Sequence, residues 1–119
     1  SVTYCINLDW NEAMKIVKES KILIVPSRTE SIPQVIKEAF FLQVPVIATN
    51  VGGIPELISD GNTGLLVSPE NPQEMINTIN TLLDDDETQQ KLSKNAFDFI
   101  NKNFSWDILL EEYIKLYQS

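Results

Sequence analysis

Two carboxylates, Glu30 and Glu38, stand eight residues apart around the segment Ser31-Ile-Pro-Gln-Val35. Just before them runs the apolar segment Ile22-Leu-Ile-Val25. A strand that feeds a helix through a short polar loop aims unpaired backbone N–H groups at whatever lies in front of the helix, which suits an anion. The chemistry on offer is therefore a phosphate near Gln34 and Val35, with two carboxylates to hold hydroxyls of the same ligand. A plain βα unit with solvated glutamates is the competing reading, because such a unit has no obligatory function. Histidine is absent and Cys5 is the single cysteine. That excludes a Ser-His-Asp or Cys-His site within this chain, a disulfide framework and a thiolate metal site.

The elements that must position these residues follow from local pattern. Ile22–Pro26 reads as a strand covered on both faces, being a β-branched-rich apolar run that stops abruptly. Pro33 suits the first position of a helix over Pro33–Leu42. There Val35, Ile36, Ala39 and Phe40 form the core face, while Gln34, Glu38 and Phe41 share the opposite flank. A carboxylate beside a phenyl ring, on a helix apolar nearly all round, points to a ligand pocket or a domain contact. Val2–Leu8 reads as a short strand. Asp9 and Glu12 have capping-box spacing at the head of a helix that runs to about Ser20. Val44–Ala48 is a third strand, Thr49–Gly53 its turn, and Pro55–Ser59 a short helix with Glu56 in its first turn. Gly52 and Gly53 either let a ligand approach the backbone closely or supply φ > 0 in a turn.

Asp60–Gly64 is a turn and Gly64–Val67 a fourth strand. Asn71 caps a helix with Pro72 first and Glu74 third; Met75, Ile79 and Leu82 form its buried stripe, helped by Ile76 and Leu83. Helices over about Glu87–Asn101 and Ser105–Tyr117 complete the chain, with no repeat or linker. Strands alternating with helices imply an α/β fold: a parallel sheet with flanking helices and a site at the carboxyl ends of the strands.

The 119 residues fit one domain, and 43% apolar content is ordinary globular composition. Nine basic against seventeen acidic residues give a net charge of −8, which argues against nucleic acid or an anionic membrane surface as partner. No apolar run is long enough to span a bilayer, and cysteine usage fits a reducing, cytoplasmic setting. Asp84-Asp-Asp86 resembles an acidic metal motif, but it follows a helical stripe rather than a strand and reads as a solvated connector. No metal or other cofactor is expected.

Taken together, Pro26-Ser-Arg-Thr-Glu30, Glu38-Ala-Phe40, Pro45-Val-Ile-Ala-Thr49, Val51-Gly-Gly-Ile-Pro-Glu56, Gly61-Asn-Thr-Gly-Leu-Leu-Val67 and Phe104-Ser-Trp106 resemble the group 1 glycosyltransferases, retaining enzymes of the two-domain GT-B type. The resemblance covers nearly everything from Ile22 onward. It implies a Rossmann-like sheet belonging to the C-terminal, donor-binding half of such an enzyme. It assigns Glu38 to the ribose hydroxyls of a nucleoside diphosphate sugar and Glu30 to the donor sugar near the reacting carbon. Ser31, Ile32, Gln34 and Val35 would cradle the diphosphate through backbone N–H groups, with Gly52 and Gly53 also at the donor. Phe104-Ser-Trp106 looks like the family's crossover segment.

Some features depart from the pattern. Ser31-Ile-Pro-Gln34 replaces a glycine-richer loop, and Gln43 stands where glycine is frequent. The family's early Arg and Lys diphosphate clamp and its N-terminal acceptor domain have no counterpart here. Residues 1–119 are therefore expected to be a truncated donor domain, inactive alone, whose parent is cytoplasmic or peripheral on a membrane. By analogy with the family strand order 3-2-1-4-5-6, two strands would lie between the Val2–Ile6 and Ile22–Pro26 strands. Their absence leaves the first segment either to pair directly with Ile22–Pro26 or to mediate self-association. Three further readings stay open: a stand-alone donor subunit needing a partner, a nucleotide-sugar epimerase of the same architecture, and a non-catalytic α/β interaction module.

Overall fold

Ile22–Val25 (β2) is buried along its whole length, and its side chains alternate between two apolar layers. Leu23 and Val25 enter one layer; Ile22 and Ile24 enter the other. That alternation is what a period-two chain must do when both faces of a sheet are covered. In the computed structural model the structure describes residues 2–4, 22–26 and 33–103. The elements are β1 (Val2–Tyr4), β2, α1 (Pro33–Phe41), β3 (Val46–Thr49), α2 (Ile54–Leu57), β4 (Leu65–Val67), α3 (Pro72–Leu83) and α4 (Asp86–Asn103). The four strands form one parallel sheet in the order β1-β2-β3-β4. Its register pairs Thr3 with Leu23, Ile24 with Ile47, and Ala48 with Leu66. The fold is α/β and Rossmann-like, as the sequence implies.

The first layer joins Leu23, Val25, Val46 and Ala48 to Val35, Ile36, Ala39 and Phe40 of α1, to Ile54 and Leu57 of α2, and to Ala96 and Ile100 of α4. The four residues expected on the core face of α1 are all buried there. Phe40 meets Phe99 of α4 edge-on, ring centroids 6.2 Å apart, a favoured aromatic geometry. The second layer gathers Ile22, Ile24, Ile47 and Val67 with Leu82 of α3 and Leu92 of α4. α4 thus contributes to both layers. Gly64 sits where a Cβ would lie 3.0 Å from the Val46 carbonyl oxygen and from Ile58 Cγ2, so a side chain there would push the β3 backbone and Ile58 aside.

Several expectations shift at their edges. The third strand is Val46–Thr49, so Thr49 belongs to the sheet and not to the turn. The short helix is Ile54–Leu57, with Pro55 inside its first turn. Asn71 caps α3 as expected, accepting from the Glu74 N–H at 3.1 Å, while the Glu74 carboxylate reaches back to the Ser68 N–H at 2.8 Å. Ile76 does not support the stripe of α3; it is 49% exposed, because α3 meets the sheet along Met75, Ile79 and Leu82. Asp85 is more than a solvated connector. Its Oδ1 accepts from the Thr88 N–H at 3.0 Å and its Oδ2 from the Thr88 hydroxyl at 2.6 Å, capping α4. Those bonds hold its carboxyl below the ordinary carboxylate value. The expected helices around Trp10 and after Ser105, and Phe104-Ser-Trp106, lie outside the described residues.

β1 pairs directly with β2, one of the two arrangements expected for the first segment.

Candidate functional site

The carboxyl ends of β2, β3 and β4 lie side by side and are tied together. The Thr49 hydroxyl, buried, donates to the Val25 carbonyl at 3.4 Å, and the Asn50 N–H donates to the Val67 carbonyl at 2.9 Å. The sequence pattern puts Thr49 in the turn and gives its hydroxyl no role. Its place at the end of an alternating apolar run was the available signal, since a polar residue there must find a partner. From β3 the chain turns through Asn50–Gly53, where the Val51 N–H donates to the Thr49 carbonyl at 3.0 Å and the Ile54 N–H to the Val51 carbonyl at 3.1 Å. Gly52 has φ +53°, the left-handed conformation that a glycine takes freely. Gly53 has φ −84° and precedes α2 with no side-chain cap. Of the two readings of this pair, the turn role is therefore visible at Gly52.

α1 rises from the same end of the sheet. Gln34 and Val35 occupy its first turn, where an α-helix supplies its own N–H groups with no acceptor. Val35 turns its side chain into the core and has only its backbone to offer a ligand. Glu30, Ser31 and Ile32 lie outside the described residues. Glu38, one turn further along α1, carries the unusual observation. It is 2% exposed, and its Oε2 is buried with no hydrogen-bond partner among the described residues. Removal from water penalises the charged form, and its carboxyl is pushed up to about 7. An acid so placed is either a costly defect or a group waiting for donors.

The helix that carries Glu38 ends in a fixed way. The Val44 N–H donates to the Ala39 carbonyl at 2.9 Å and the Gln43 N–H to the Phe40 carbonyl at 3.2 Å, with Gln43 at φ +58°. This is a Schellman closure with a non-glycine residue in the left-handed position. It accounts physically for the glycine that the sequence pattern leads one to expect there. Two surface concavities, of about 370 and 330 Å³, are lined by residues of β4, α3 and α4 and of the 62–63 turn and α4. Neither includes Glu38. No described helix is long and apolar enough to cross a membrane.

The profile of the family described as glycosyl transferases, group 1, matches residues 1–99. The D-inositol 3-phosphate glycosyltransferase of Corynebacterium efficiens is 38% identical over 106 residues, which is 89% of this chain and 25% of that protein. Among solved structures, the C-terminal domain of a group 1 glycosyl transferase from Francisella tularensis is 27% identical at a TM-score of 0.71, covering 83% of this chain and 51% of that one. Anabaena HepE in complex with UDP-glucose also superposes at a TM-score of 0.71 and is 26% identical, with 86% of this chain and 28% of that one covered. The chain thus spans about a quarter of the length of the first curated relative. With the profile match over most of its length, the tied strand ends and the glutamate on the following helix, this chain belongs to the group 1 glycosyltransferases.

Proposed function

We propose that this chain forms the donor-binding part of a retaining transferase that moves a sugar, of hexosyl type, from a nucleoside diphosphate sugar to an acceptor hydroxyl. The observation that carries the reading is Glu38: an acid 2% exposed, with an oxygen that has no partner among the described residues, on the helix that follows β2. Vicinal ribose hydroxyls are donors of the kind that oxygen lacks. The N–H groups of Gln34 and Val35, in the first turn of the same helix, suit a diphosphate. UDP-glucose bound to Anabaena HepE supports the same substrate class.

Glu30 is assigned to the donor sugar, Ser31 and Ile32 to the diphosphate loop, and Gly52 and Gly53 to the backbone beside the donor. In the reaction the bond from the anomeric carbon to the diphosphate breaks and the bond to the acceptor oxygen forms on the same face. The departing diphosphate accepts the acceptor's proton, so no protein nucleophile is needed. The acceptor is held by another domain of the whole protein, or by a partner, consistent with a chain that covers a quarter of its relative. Alone, the chain binds donor without turnover, and the whole protein works in the cytoplasm or at the membrane face.

Saturation-transfer NMR with UDP-, GDP- and ADP-sugars at millimolar concentration tests this. Transfer to ribose and base protons is expected with one of them, and its loss in a folded Glu38→Ala variant. Equal transfer in that variant, or none with any donor, would instead favour an interaction module.

A further inference from the structure

We infer that in mildly acidic solution Glu38 stands in the free chain as a neutral carboxylic acid, and that capture of a nucleoside diphosphate sugar expels its proton to solvent. The inference rests on the proposed donor site and adds a regulation to it: binding there is coupled to pH.

The geometry comes first. An ionised carboxylate needs water or donors on both oxygens. Glu38 is 2% exposed, and its buried Oε2 has no donor among the described residues. The neutral form escapes the desolvation cost of the anion. Among the described residues, no opposite charge on the elements packed against α1 offsets that cost. β3 has no ionisable side chain, and on α2 there is only Glu56, which is exposed. On α4 the ionisable residues Asp86, Glu87, Lys91, Lys94, Asp98 and Lys102 are all exposed. On α1 itself Lys37 is adjacent in sequence, and neighbouring residues of a helix point about 100° apart.

A ribose diol changes the balance. It brings two O–H donors, and a carboxylate can accept one on each oxygen, whereas a neutral acid must commit one oxygen to its own proton. Bound ligand therefore favours the anion. The balanced step is acid plus donor sugar going to carboxylate with bound donor plus one proton, which the buffer takes up. Nothing is oxidised or reduced.

The chain suits a clean measurement because it has no histidine. The ligand must be a nucleoside diphosphate sugar rather than a nucleoside diphosphate, because a terminal phosphate would itself titrate near pH 6. Isothermal calorimetry of the 119-residue chain with UDP-, GDP- and ADP-glucose is run at pH 6 and pH 8, each in two buffers of different ionisation enthalpy. For the sugar that binds, we expect about 0.9 protons released at pH 6 and about 0.1 at pH 8. Affinity should weaken by up to tenfold per pH unit below 7. Glu38→Gln should show no buffer-dependent heat.

Carbon-detected NMR of the Glu38 carboxyl in the free chain supplies a reading that needs no ligand, with a midpoint near 7 expected. A midpoint between 4 and 5 overturns the inference. Binding heat that is identical in both buffers at pH 6 overturns it while leaving the donor site intact. No saturable heat from any of the three sugars overturns the proposed function and the proton release with it.

Discussion

At the scale of single residues, Glu38 is a site of stored instability. Its folded-state value, about 7, lies above the ordinary 4.5. Between these two pH values the folded chain holds more protons than the unfolded chain, so stability falls as pH rises through the window. The loss is complete above pH 7 and amounts to at most roughly 3 kcal/mol. The isosteric amide in Glu38→Gln removes the ionisation. Urea denaturation should find the variant more stable than the parent chain at pH 8 by up to roughly 3 kcal/mol, with the gap closing towards pH 4.5. A gap that does not change with pH would mean the acid is solvated after all. Gln43 is a second costly residue, at φ +58° in the turn that ends α1. Gln43→Gly should raise stability by about 0.5–1 kcal/mol, because the Cβ strain of the left-handed conformation exceeds the chain entropy that glycine adds. The readout is the urea midpoint at unchanged slope.

Among the elements, the junction of α3 and α4 is held by side chains that local pattern does not announce. Gln89, buried on α4, donates its amide N–H to the Leu82 carbonyl at 2.7 Å and to the Leu83 carbonyl at 3.5 Å. These are terminal carbonyls of α3, which no intrahelical donor can reach. Replacing the amide with an apolar group of like size takes this donor from the Leu83 carbonyl and leaves the Leu82 carbonyl with the Asp85 N–H at 3.1 Å. Gln89→Leu should therefore cost about 0.5–1.5 kcal/mol in denaturant unfolding. Asn71→Ala at the other end of α3 should cost about 1 kcal/mol through loss of its cap.

The same elements mark what a linear reading can reach. β2 was legible because four apolar residues end at Pro26, and α3 because Asn71, Pro72 and Glu74 are local signals. Gln89 was not legible, since its role depends on the angle at which two helices meet, whereas the Asp85 cap is a local Asp-to-Thr88 signal hidden within an acidic run. Thr49 falls to the turn in the linear pattern because a polar side chain within a buried strand looks like a turn. At the site, Glu38 could be flagged from the phenyl-bearing flank it shares with Phe41. Its lack of a partner among the described residues is a tertiary fact that no spacing encodes.

At the scale of the whole molecule, the two apolar layers on either side of the sheet share one helix. Leu92 of α4 belongs to the layer with α3, whereas Ala96 and Ile100 belong to the layer with α1 and α2. Leu92 and Ile100 are each no more than 1% exposed, so truncating either leaves a cavity. Leu92→Ala and Ile100→Ala should each cost about 2–5 kcal/mol. Both losses should appear as a shift of one common unfolding transition followed by circular dichroism. Two separated transitions would show that the layers are energetically independent. A helix that is core to both faces also sets what the molecule can do without coming apart. Native-state hydrogen exchange should find the amides of β2, β3 and the middle of α4 opening only in the rarest, global event. The turns at the carboxyl ends of the strands, where a ligand would enter, are then free to breathe on a frame that does not.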